Sequence, residues 1–203
     1  MRKIVVGLIF SIFCGLNLFG GDYELGIETY KKGDSPKAKE LFRKACEDGN
    51  SNSCGIIAQL FEAQQDYLKA KEFYTKSCDG GFMQGCLNLG IMYFNGKGIK
   101  QDRFKANELY TKACDAKILE GCYNLGNNYY DGQGVKQDYF KANELFGKSC
   151  DGGLAMSCFN LGISYFKGEG IKQDIKKAKE LFGKACDNQL QQGCDAYIKL
   201  NKK

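Results

Sequence analysis

Ten of the eleven cysteines recur at regular intervals, and this periodicity constrains the fold more than any other feature of the sequence. Apart from Cys14, they form five pairs, each with seven residues between its two members. The first members of successive pairs lie 32, 36, 36 and 36 residues apart. A repeat of this length indicates a stacked array of similar units with one cross-link in each. The pairs are Cys46/Cys54, Cys78/Cys86, Cys114/Cys122, Cys150/Cys158 and Cys186/Cys194.

The residues around each cysteine pair predict two short helices. In the first helix, apolar or small residues fall at positions i, i+3, i+4, i+7 and i+8, as between Ala106 and Cys114. This spacing is typical of one buried stripe on an amphipathic helix. A second helix with the same spacing begins just before the second cysteine, as in Cys122 to Tyr130. An aspartate precedes every first helix and is expected at or near its N-cap. These aspartates are Asp34, Asp66, Asp102, Asp138 and Asp174.

A glycine-rich loop joins the later repeats. It occurs as Gly96–Asp102, Gly132–Asp138 and Gly168–Asp174. Two glycines in three residues are found in phosphate-binding loops, but such loops follow a strand, and none is predicted here. The loop is therefore interpreted as a helix C-cap followed by a turn.

The first twenty residues predict export. Arg2 and Lys3 form a basic start, and an apolar run extends to Phe19. This pattern is typical of a signal peptide, predicted over residues 1–20 and including Cys14. The mature chain is then expected to be secreted or periplasmic.

Ten cysteines in an oxidising compartment favour disulfides. The members of each pair flank a short turn, so two antiparallel helices would bring their Cα atoms within about 5.5 Å. Zinc is the alternative, but seven intervening residues do not match the usual tetrathiolate spacing, and the chain has no histidine. We therefore predict that the five pairs are disulfides and that the chain binds no metal and no cofactor.

The charge of the chain does not point to any class of partner. The sequence has 29 basic and 24 acidic residues, a net charge of +5, mixed evenly along the chain. This balance does not favour binding to nucleic acid or to an anionic membrane surface. No apolar stretch after the signal peptide approaches the roughly 20 residues that a membrane span requires. We predict no nucleic-acid partner and no stable membrane insertion.

The second helices carry a family resemblance. The segment Cys122–Tyr130, followed by Lys141-Ala142 and Cys150, resembles a tetratricopeptide repeat lengthened by the glycine loop, which is the Sel-one-like repeat. With paired cysteines and a signal peptide, the chain resembles the secreted Helicobacter cysteine-rich protein family. The resemblance implies an all-α fold, a right-handed α/α superhelical solenoid of disulfide-stapled repeats with a concave face.

The same pattern predicts one repeat domain after the signal peptide, over residues 21–203. It begins with a truncated opening repeat at about 22–33, which resembles a second helix. Five repeats follow, at about 34–65, 66–101, 102–137, 138–173 and 174–203.

The resemblance also implies a binding function. Asn88, Asn124 and Asn160 each precede a Leu-Gly pair. In related tetratricopeptide arrays the matching position faces the groove and can hydrogen-bond a peptide backbone, since one amide both donates and accepts. Asn127 lies one turn after Asn124 and would extend the patch. The alternative is that these asparagines bridge neighbouring repeats. The predicted ligand is a peptide, a cell-wall-derived fragment or a protein of the host or cell envelope.

An enzymatic function is the second hypothesis. Members of the family that this chain resembles are described as penicillin-binding or as β-lactamases, which implies weak binding or hydrolysis of penicillins or cephalosporins. Ser164–Lys167 matches the S-x-x-K pattern of serine β-lactamases, but no K-T-G or S-D-N accompanies it. Without histidine, Ser/His and Cys/His dyads are excluded. The sequence shows no catalytic constellation, and chance is the favoured explanation of the Ser164 match.

Overall fold

The computed structural model describes residues 21–202, and all regular structure in that range is helical. The predicted signal peptide, residues 1–20, lies outside the described residues. The prediction of an all-α fold is confirmed. The helices are α1 (Gly21–Lys31), α2 (Ser35–Glu47), α3 (Ser51–Ala63), α4 (Tyr67–Asp79), α5 (Met83–Asn95), α6 (Arg103–Asp115), α7 (Leu119–Asp131), α8 (Tyr139–Asp151), α9 (Ala155–Lys167), α10 (Ile175–Asp187) and α11 (Gln191–Asn201).

The chain forms two compact units, divided between Phe82 and Met83. Helices α1–α4 belong to the first unit and α5–α11 to the second. Within each unit, every helix packs on the next one along the chain. Between residues 21 and 202, no helix has both the length and the apolar character needed to cross a membrane.

The predicted aspartate caps begin the first helix of every repeat. Each carboxylate accepts a hydrogen bond from the backbone N–H three residues later, with N···O distances between 2.9 and 3.2 Å. These bonds satisfy backbone donors that the first turn of a helix otherwise leaves unpaired. The five caps fix where α2, α4, α6, α8 and α10 begin.

The apolar stripes face inwards. In the second unit Ala106, Tyr110 and Ala113 of α6 are almost completely buried, and they pack with Leu125 of α7 and Leu145 of α8. A fully buried large apolar side chain contributes about 1.5–3 kcal/mol. Burial of these stripes therefore stacks neighbouring repeats of the second unit on one another.

Disulfides join the two helices of a repeat. The bridges Cys46–Cys54, Cys114–Cys122, Cys150–Cys158 and Cys186–Cys194 have Cα–Cα distances between 4.5 and 4.8 Å. Cys78 and Cys86 are disulfide-bonded as well. On the chain-entropy account, closing so short a loop contributes roughly 2.5 kcal/mol.

The glycine loops are structural, as the sequence analysis concluded. Gly132 caps α7 in the left-handed conformation, with φ 71°. At Gly134 an added Cβ would lie 2.6 Å from the carbonyl carbon of Arg103. The loop therefore packs against the first turn of α6, at a distance that only glycine permits.

Candidate ligand-binding groove

Two cavities adjoin in the second unit. The first, of about 390 Å³, is lined by Ile91, Phe94, Asn95, Tyr110, Asn124, Asn127, Asn128, Asp131 and Gln133. The second, of about 250 Å³, is lined by Asn127, Tyr130, Asp131, Phe146, Asn160, Ile163 and Lys167. Because Asn127 and Asp131 line both, we treat the two cavities as one site and call it the asparagine groove.

The helical period places these side chains together. Asn124, Asn127 and Asp131 are spaced i, i+3 and i+7 on α7, so they lie on one face of that helix. Asn160, Ile163 and Lys167 have the same spacing on α9. Helices α7 and α9 therefore present rows of the same spacing to the groove. The row on α7 is entirely polar, and the row on α9 has Ile163 between two polar residues.

Three of the four predicted ligand-binding asparagines line the asparagine groove. They are Asn124, Asn127 and Asn160. Asn88 lines neither cavity: it is half-buried on α5, where its Oδ1 accepts a hydrogen bond from Gln84 Nε2 at 3.4 Å. The four side chains therefore do not form one continuous patch.

The asparagines differ in what they bind. Asn160 Nδ2 donates to Asn127 Oδ1 at 3.0 Å, which bridges neighbouring repeats. For this pair the bridging hypothesis describes the observed contact. Asn124 has no hydrogen-bond partner among the described residues, although its amide faces the larger cavity. Asn124 therefore offers one donor and one acceptor that the fold leaves unused.

From the sequence, Lys167 was singled out only as part of the S-x-x-K match, and Tyr130, Asp131 and Glu169 were not singled out. Tyr130 donates a short hydrogen bond to the Glu169 carboxylate, and Lys167 Nζ lies 3.4 Å from Glu169 Oε1. Burial raises the pKa of the Tyr130 phenol above its ordinary range, and the bond to Glu169 adds to that shift. The Tyr130 phenol therefore stays protonated. The Glu169 carboxylate already accepts its hydrogen bond and pairs with Lys167.

A signal for these residues exists in the repeat register. Asn95, Asp131 and Lys167 are 36 residues apart, one full turn after the Asn127 position. Extending the alignment of the repeats by one turn would have found them.

The groove contains no exposed serine nucleophile. Ser164 is completely buried on α9, and its Oγ has no hydrogen-bond partner. Lys167 is exposed and pairs with Glu169. A β-lactam carbonyl has no access to the Ser164 hydroxyl in this conformation. In the part of the chain that the structure describes, no cluster of three or more carboxylate or thiolate side chains is arranged to hold a metal ion.

Sequence comparison decides the family. The Sel1 repeat family matches residues 17–50, 60–82, 84–117, 119–154 and 155–190, which together make up most of the chain. This chain belongs to the Sel1 repeat family. The predicted array of Sel-one-like repeats is thereby confirmed, and the protein is a disulfide-rich Sel1 repeat protein. No curated protein matches it in sequence.

Solved structures extend this result. Cysteine-rich protein B (HcpB) of Helicobacter pylori is 33% identical, with a TM-score of 0.51 over 61% of this chain and 91% of that one. The predicted resemblance to the Helicobacter cysteine-rich proteins is confirmed. A protective antigen of uropathogenic Escherichia coli that displays an SLR fold is 27% identical, with a TM-score of 0.86 over 92% of this chain. This Sel1 repeat chain spans 42% of the antigen's length.

Proposed function

We propose that this Sel1 repeat protein binds an extended peptide segment of a host or cell-envelope protein in the asparagine groove. The observation that carries the proposal is Asn124, an amide that lines the larger cavity with both its donor and its acceptor unused. A polar group held at a cavity wall without a partner is suited to a ligand that supplies one.

The chemistry of the groove fits a peptide better than it fits a small ion. A peptide backbone alternates N–H and C=O groups, which one amide can bind together. Ile91, Phe94 and Ile163 give the wall apolar surface for the side chains of the ligand. The lining therefore combines apolar surface with amide and charged side chains that can fix the orientation of a ligand.

The same proposal places the protein outside the cytoplasm. Disulfides persist in oxidising compartments, the periplasm or the extracellular space. The predicted signal peptide supplies the route of export, and we propose that it is removed before the repeat domain acts. A peptide partner would then come from the envelope or from the host.

β-Lactam binding or hydrolysis is the rival proposal, and it rests on family resemblance. The complete burial of Ser164 weighs against hydrolysis through this residue. Turnover of a chromogenic cephalosporin by the pure oxidised protein, abolished by Ser164→Ala, would favour the enzyme instead.

The test begins with peptides selected from a phage-displayed random library on the immobilised oxidised protein. Asn124→Ala should weaken binding of the best synthetic peptide by about thirtyfold, as measured by calorimetry, because it removes two hydrogen bonds worth about 1 kcal/mol each. The melting temperature should not change, since the fold leaves this amide unbonded.

Asn88→Ala is the matched control. It removes the same side chain from the same repeat position, but outside the groove. Its affinity should equal that of the wild type. The proposed site would be contradicted if Asn124→Ala bound the peptide as tightly as the wild type, or if both variants lost the same affinity.

A further inference from the structure

The asparagine groove has one carboxylate without a partner. Asp131 is exposed at the end of α7, where both cavities meet. Among the described residues it forms no hydrogen bond and no ion pair. The other charged side chain of the lining, Lys167, is paired with Glu169, which also accepts from Tyr130. The groove therefore carries an uncompensated negative charge at its centre.

The repeat register makes this charge specific to one repeat. Asn95 is neutral at the equivalent position one repeat earlier, and Lys167 is neutralised one repeat later. The remaining lining residues are amides, phenols and apolar side chains. Nothing else in the lining can offset Asp131, so a ligand that spans both cavities passes an unopposed carboxylate.

Electrostatic complementarity then defines the ligand. A cation at the junction would gain an ion pair, whereas an acidic side chain there would be repelled. The cavities on either side have apolar walls that include Phe94 and Ile163, so they favour apolar neighbours.

We infer that the groove recognises a peptide segment with a lysine or arginine side chain bound by Asp131 and apolar residues on both sides of it. This inference rests on the proposed function, because it names the chemistry of the peptide that the groove would take. It assigns Asp131 as the residue that determines specificity and Asn124 as the residue that holds the backbone.

The experiment compares peptide populations selected from one phage-displayed random library by the oxidised wild-type protein and by Asp131→Asn. The wild type should enrich sequences in which one lysine or arginine lies between apolar residues, and Asp131→Asn should lose this enrichment. Asp115→Asn is the matched control, since Asp115 is exposed at the end of α6 and lines neither cavity. It should select the same peptides as the wild type.

Synthetic peptides then separate a side-chain cation from a free amino terminus. The best peptide is acetylated, and its lysine is replaced by norleucine or its arginine by citrulline. Replacement should weaken binding to the wild type roughly threefold to tenfold, with little effect on binding to Asp131→Asn. Added salt should weaken binding of the basic peptide to the wild type, and it should not change binding when either the basic side chain or Asp131 has been replaced. An acetylated peptide that no longer binds would show that the amino terminus, and not the side chain, is recognised, which overturns the inference.

The two proposals fail in different ways. If the wild type selects peptides whose affinity depends on Asn124 but that carry no basic residue, the groove binds peptides and the role of Asp131 is wrong. If no selected peptide depends on Asn124, the proposed function fails first.

Discussion

Ser164 occupies the position that Asn128 holds one repeat earlier, and the exchange leaves two buried atoms without partners. Asn128 Nδ2 donates to Asn107 Oδ1 at 2.6 Å, and Asn107 Nδ2 donates to the backbone oxygen of Gln133 at 2.8 Å. In the next repeat Asn143 Nδ2 donates the equivalent hydrogen bond to the glycine loop, at 2.7 Å from the backbone oxygen of Glu169. The side chain of Ser164 is shorter than that of Asn128. In that repeat, Asn143 Oδ1 and Ser164 Oγ are therefore buried without a hydrogen-bond partner.

Ser164→Asn should therefore stabilise the protein. The longer amide can reach Asn143 as Asn128 reaches Asn107, which restores a buried hydrogen bond worth about 1 kcal/mol. For a chain of this size the melting temperature should rise by roughly 2–4 °C. Thermal unfolding followed by circular dichroism measures the shift.

The reverse exchange is the control for this prediction. Asn128→Ser should unpair Asn107 Oδ1 and lower the melting temperature by about the same amount. A lower melting temperature for Ser164→Asn would mean that the site has no room for the amide, and the proposed equivalence of the two repeats would be wrong.

The glycine loop is the element most sensitive to a single added atom. Gly134→Ala places a Cβ 2.6 Å from the Arg103 carbonyl carbon in a residue with φ +69°. Strain in the left-handed region costs about 1–2 kcal/mol, and overpacking adds about 1–3 kcal/mol. We expect a total loss of about 2–5 kcal/mol in the free energy of unfolding, measured by urea denaturation.

Gly147→Ala is the matched control within α8. No atom outside its own helix segment lies within 4 Å of the Cβ position there, and the residue is helical. Alanine should stabilise this position by about 0.5–1 kcal/mol. If both substitutions destabilised the protein equally, the close approach of the loop to α6 would not be the cause.

Elements of this kind were predictable to different degrees. The helices follow from the 3.6-residue period, and the cap at Asp102 follows from its fixed distance to the apolar stripe. The loop contact of Asn107 was not predictable, because an asparagine within a helix carries no sign of which distant backbone oxygen it meets. The split among the asparagines has the same cause: Asn124 and Asn88 share a motif, and only tertiary packing places one in the groove.

At the scale of the whole molecule, stability is expected to be local and to depend on position. In a repeat array each repeat contacts only its neighbours. Unfolding of one repeat therefore spreads only as far as those contacts. Helix α7 packs on both α6 and α8, whereas α11 packs mainly on α10. The Cys114–Cys122 bridge therefore lies between neighbours on both sides, and the Cys186–Cys194 bridge lies at the last helix pair of the second unit.

Removing either bridge should cost roughly 2.5 kcal/mol within its own repeat, yet the consequences should differ. Replacing Cys186 and Cys194 by alanine should release hydrogen-exchange protection over α11 and the end of α10 only, because local opening there breaks few other contacts. Replacing Cys114 and Cys122 should reduce protection from α5 to α8, since both flanking helices lose a support. Hydrogen exchange read by mass spectrometry resolves these segments. If replacing Cys186 and Cys194 removed hydrogen-exchange protection from the whole second unit, the helices of that unit would unfold as one cooperative block instead of repeat by repeat.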